Sequence, residues 1–178
     1  MLNCHFHLPA PPMSPLRTAA LLACLLSPAA AHTHPDAPAD NGRLQDFVVP
    51  FAIGQLEKRG EFMPFGAAIL STGQIVAIGG YDGEEQDGAP LPADIIKLIQ
   101  DALAQGAADG EYKATALVYD ATVPLPSSGK QSDAIAVALD HRDGYSVMTF
   151  LPYELRGKEV RMGTPFTRQG TATVFQQK

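Results

Sequence analysis

The stretch Ser132–Tyr153, SDAIAVALDHRDGYSVMTFLPY, constrains the fold more than any other part of the chain. Two apolar-rich runs flank Asp143-Gly144, a dipeptide suited to the tight turns that join antiparallel strands. A β-hairpin follows. With a two-residue turn, Leu139 faces Met148 and Val137 faces Phe150, so the large side chains of both strands share one face. The other face carries Ala134, Ala136, Ala138 and Asp140 opposite Leu151, Thr149 and Val147, leaving little side chain on one strand. A three-residue Arg142-Asp143-Gly144 loop with a bulge shifts the register by one and separates the large residues, so it ranks second.

The amino-terminal segment has the order of parts of a secretory signal peptide: Arg17, the apolar run Thr18–Leu26, Ser27-Pro28 and Ala29-Ala30-Ala31. Residues 1–31 are therefore expected to be a signal, with Met13 a better start than Met1, and the protein is expected to be periplasmic or secreted. Leu21-Leu22-Ala23-Cys24 resembles a bacterial lipobox, although the apolar run before it is short. Cleavage after Ala31 removes Cys4 and Cys24, the two cysteines of the chain, and with them any disulfide or thiolate site. The remainder holds twelve basic and nineteen acidic residues, a formal charge of −7. Such a chain repels polyanions, which argues against nucleic acid as a partner. No stretch is long and apolar enough for a membrane span.

Residues 32–43, HTHPDAPADNGR, lack apolar periodicity and are expected to be a flexible linker, leaving 44–178 as one domain. Leu44, Phe47, Val48, Phe51 and Leu56 fall near helical spacing up to Lys58-Arg59-Gly60, with Pro50 suited to a first turn and a helix start near Val49. Phe65–Leu70 and Gln74–Ile78 form a second hairpin, followed by the acidic loop YDGEEQDGAPLP. Asp94–Ala104 carries Ile95, Ile96, Leu98, Ile99, Ala102 and Leu103 on one broad face of an amphipathic helix. Lys113–Val123 is a strand, and Glu159–Met162 and Thr171–Phe175 are short strand candidates.

The sum is an α+β domain with a single antiparallel sheet of about five strands packed with two helices. Its order, α-β-β-α-β-β-β, is similar to the profilin-like, roadblock-type layout. The phrases Glu61–Ala67 and Ser132–Gly144 also resemble those of small uncharacterised bacterial exported proteins. That resemblance implies binding, sensing or dimerisation, and implies no catalytic residue.

Chemistry-bearing residues are sparse. A mature chain beginning His32-Thr33-His34 presents an α-amine, two amides and the His34 imidazole, a planar nitrogen set suited to Cu(II) or Ni(II). That site exists only for cleavage after Ala31; otherwise both histidines sit in a linker. His141 is the one histidine of the folded region and, beside Asp140, Arg142 and Asp143, has the ingredients of a general base. The plainer reading is a solvated turn. Glu61, Asp120, Asp133 and Tyr153 are further candidates, with Asp120 interrupting an apolar strand, although single acids on strands usually face water. Ser127-Ser128-Gly129-Lys130 falls short of a phosphate loop, since the first glycine is missing.

With no catalytic motif in view, the expectation is a binding or regulatory domain for a small molecule or envelope protein, inhibitor or immunity factors included. Its surface is expected on the alanine-rich face of the hairpin, with Lys130, His141, Arg142 and Asp143 as contacts. A hydrolase using Asp120, Asp133 or His141 is the alternative and a copper-handling protein another; the small-residue face of the hairpin either packs under a helix or makes a homodimer by pairing sheets.

Overall fold

Alternation along three long strands decides the layering. In the computed structural model, the described residues are 36–79 and 91–175. They form helices α1 (Asp36–Arg59) and α2 (Pro92–Ala108) and strands β1 (Phe65–Leu70), β2 (Ile75–Ile78), β3 (Tyr112–Pro124), β4 (Gln131–His141), β5 (Ser146–Arg156), β6 (Glu159–Met162) and β7 (Phe166–Gln169). The strands make one antiparallel sheet in the order β2-β1-β3-β4-β5-β6. β7 pairs with the first half of β5 and β6 with its second half. The class is α+β, and the sheet has seven strands where about five were expected. The expected strand at Glu159–Met162 is present; the other lies at Phe166–Gln169, and Thr171–Phe175 is tail.

Because side chains alternate across a strand, each long strand feeds both faces. Ala114, Ala116, Val118, Ile135, Val137 and Leu139 face α1, meeting Leu44, Val48, Ala52 and Leu56 in the main core. Ala68 and Leu117 point the other way, to Ile95, Ile99 and Leu103 of α2. The sheet is thus sandwiched, one helix to each face. α2 lies mainly over β3 and β1, with less contact to β2.

The sequence reading needs five corrections here. α1 begins at Asp36, so residues 36–43 are its first two turns rather than linker, and Ala37, Asp40 and Asn41 are buried. The helix continues through Pro50, which sits on the exposed side, where a carbonyl lacking its helical partner can meet water. Phe47 and Phe51 are exposed, since the inward stripe runs every fourth residue from Leu44 to Leu56. On α2 the inward stripe is likewise narrow, and Leu98 is 70% exposed.

The fifth concerns the central hairpin. Its strands stand where expected, but the loop has three residues, Arg142-Asp143-Gly144, with the His141 N–H donating to the Tyr145 carbonyl and Gly144 at φ 81°. That is a turn closed by a left-handed glycine, a common three-residue hairpin. Ala138 faces Met148 and Ala136 faces Phe150, while Leu139 faces Val147. Small residues oppose large ones, keeping that side of the sheet even.

Candidate functional site

Register decides which polar residues meet. Lys130 and the Arg142-Asp143 turn, expected to share one surface, lie at opposite ends of β4, whose eleven residues span about 33 Å. Asp133 and His141 are eight positions apart on that strand, roughly 26 Å. No site combines Asp120 or Asp133 with His141.

His141 is buried, 3% exposed, rather than solvated at the turn. It faces the first turns of α1, with Nε2 3.5 Å from Asp40 Oδ2 and Nδ1 3.4 Å from Asp143 Oδ2. Lys113 Nζ lies 2.7 Å from Asp40 Oδ2, and Arg43 donates to Asp40 Oδ1 at 3.2 Å. Burial alone pushes the Asp40 carboxyl up; Lys113 first, then Arg43 and His141, overcome it and hold the carboxyl below its ordinary value. This cluster fastens the start of α1 to β3 and β4, which is a structural role. Arg142 is exposed and Lys130 sits on the exposed β3–β4 loop.

Asp120, Asp133 and Tyr153 do converge, on the α1 face at the far end of β3, β4 and β5. The Tyr153 hydroxyl donates to Asp120 Oδ1 at 3.0 Å, and Thr122 donates to Asp133 Oδ1 at 3.2 Å. Partial burial raises the Asp120 carboxyl, Tyr153 offsets that, and the Asp133 charge adds to it. Burial, then the neighbouring carboxylates, raises the Tyr153 phenol well above its ordinary value. Tyr153 also lines a pocket of about 510 Å³ with Ser132, Arg161 and Met162. Two of its polar groups are already engaged, Tyr153 by Asp120 and Arg161 by Glu159. Glu61 is exposed on the connection before β1.

The other face holds a groove of about 450 Å³ between α2, β7 and the tail. Its floor is Leu117, Tyr119, Ala138, Met148 and Phe150, the alanine-rich side of the hairpin with its large neighbours. α2 packs chiefly on β1 and β3, and Ala138 brings no bulk, so the floor stays open. Ile96 and Gln100 form one wall; Arg168, Gln169, Gly170, Thr171 and Thr173 form the other. The Arg168 guanidinium lies over the rings of Phe150 and Phe166, 5.4 and 5.5 Å from their centroids. Among the described residues Arg168 has no acidic partner, and the Tyr119 hydroxyl has only the weak acceptor Met148 Sδ at 4.0 Å. Burial raises the Tyr119 phenol, keeping it a neutral donor.

Tyr119 and Arg168 were missed in the sequence, although Phe166 and Arg168 alternate as strand residues do. His32 and His34 lie outside the described residues, as do residues 1–31, expected to be a signal, and residues 80–90 of the acidic loop. Among the described residues no group of three or more His, Cys, Asp or Glu is placed to hold a metal, and no helix is long and apolar enough to cross a membrane. No family model, curated protein or solved structure matches the chain.

Proposed function

We propose that the protein is an exported binding domain of profilin-like layout, acting in the periplasm or outside the cell, which holds a small molecule in the groove on the alanine-rich face. One observation carries this reading: a concave apolar floor bordered by polar groups that have no strong partner of their own, Arg168 and Tyr119. Ligand sites combine an apolar lining with a few such groups. A small molecule suits this geometry better than an envelope protein, because the groove is walled on two sides and its volume, about 450 Å³, is that of a small-molecule site.

A hydrolase is the second reading, favoured by the Tyr153–Asp120 hydrogen bond and the raised Asp120 carboxyl. His141 drops out of it, being buried at the other end of β4. A screen of hydrolytic substrates separates the two. Stoichiometric retention of a molecule without turnover supports the binder. Saturable turnover lost in Asp120→Ala, with normal thermal stability, supports the enzyme.

A further inference from the structure

Resting on that reading of the groove, we propose that its ligand is an organic monoanion, a carboxylate with an aliphatic or aromatic body, whose charged end meets Arg168 and whose body lies on Leu117, Ala138 and Met148.

The charge of Arg168 is the first reason. The ion-paired arginines of the described residues are Arg43, Arg156 and Arg161, bonded to Asp40, Glu154 and Glu159; Arg59 and Arg142, which like Arg168 have no such pair, lie outside the groove. Arg168 instead stands over two aromatic rings, which hold the guanidinium plane while leaving its N–H edge free to donate. That edge matches a carboxylate. In a domain with excess acid, a cation without an internal acid at the rim of an apolar groove is a local attraction for anions.

The floor supplies the second. Between Ile96 on α2 and the rim there is no charged side chain, only Leu117, Tyr119, Ala138, Met148 and Phe150. An inorganic anion leaves that surface wet, whereas an apolar body removes it from water at about 25 cal/mol per Å². A dianion fits poorly, because the lining has one cation and its second charge would face aromatic rings. The volume, about 450 Å³, lies within the range of small-molecule sites, about 300–1,000 Å³. Tyr119 supplies a further donor from the floor.

The test is a calorimetric titration of the full-length exported chain with octanoate, 1-octanol and octyltrimethylammonium, with amide chemical shifts followed in parallel. Octanoate is expected to bind about tenfold more tightly than octanol, the worth of one charge-assisted hydrogen bond, with shift changes at Tyr119, Ala138 and Met148. The octyltrimethylammonium cation is expected not to bind. Arg168→Gln should abolish the preference for octanoate and Arg168→Lys restore part of it. Equal binding of octanoate and octanol in the groove, or a preference that survives Arg168→Gln, overturns the anion and leaves the groove standing. Binding of none of the three, or shifts confined to residues around Tyr153, overturns the groove as well.

Discussion

Asp140 on β4 accepts the backbone N–H of Thr173 at 3.1 Å, fastening the tail beyond β7 to the central hairpin. The same carboxylate oxygen accepts the Val174 N–H at 3.2 Å and the Thr173 hydroxyl, while Ser146 donates to the other. Val174 packs against the α2-side core, and Thr173 lines the groove. One buried acid thus holds a groove wall in place. Asp140→Ala should raise amide exchange at Thr173 and Val174 by more than tenfold and destabilise the domain by about 2 kcal/mol, the cost of hydrogen bonds to a charged group. Hydrogen exchange read residue by residue checks this, and unchanged protection at Val174 contradicts it.

The Asp120–Tyr153 pair sets a pH dependence. Asp120 ionises less readily in the fold than in the unfolded chain, so the unfolded state gives up its proton first as pH rises. Its contribution is complete below the ordinary carboxyl value of 3.8 and is lost as pH rises through the raised value. Asp120→Asn keeps an acceptor for Tyr153 without the charge. The variant should gain stability relative to wild type between pH 3 and pH 7, measured by urea unfolding across that range. Tyr153 acts in the same sense above pH 10.0, its ordinary value, where the unfolded phenol ionises and the folded one does not. Tyr153→Phe should flatten the alkaline loss.

Lys113→Met removes the nearest cation from Asp40, which is 5% exposed. An acid left buried without its partner costs about 3 kcal/mol, and the remaining Arg43 and His141 reduce that cost. Since the Asp40 carboxyl is held below its ordinary 3.8, its stabilisation is present above that value and lost as pH falls. The difference between wild type and variant, read from urea midpoints, should therefore be largest near neutrality and shrink below about pH 3.8.

Gly106, inside α2, tests packing against propensity. Replacing a helical glycine by alanine ordinarily stabilises by about 1 kcal/mol. Here a Cβ would collide with the ring of Tyr112 at the start of β3. Gly106→Ala should instead lower stability by about 1–3 kcal/mol, the usual cost of overpacking. A thermal midpoint above that of wild type contradicts the helix–strand packing described.

The hairpin, both helices and most strand positions were readable from periodicity, and so was the alanine-rich face. The register was not, because pairing large with large looked like a match. The sheet pairs Ala138 with Met148 and Ala136 with Phe150, which fills each layer evenly. The start of α1 was hidden because its buried side is polar: Asp40 and Asn41 look like linker residues until Lys113 and His141, far away in sequence, supply the setting. Asp120 and Tyr153 stood out singly, yet their contact crosses β4 and depends on the register that was misread. Arg168 sits on a short edge strand whose role appears only once β7 lies beside β5.

The most direct test of the groove is the native mass of the protein recovered from the envelope or medium of its own host, wild type beside Ala138→Phe. The substituted ring would occupy the open floor next to Met148 and Leu117 without entering the main core. A small-molecule adduct on wild type that is absent from the variant, with thermal midpoints within a few degrees, is the expected result. An adduct retained equally by both proteins, or found on neither, contradicts the account.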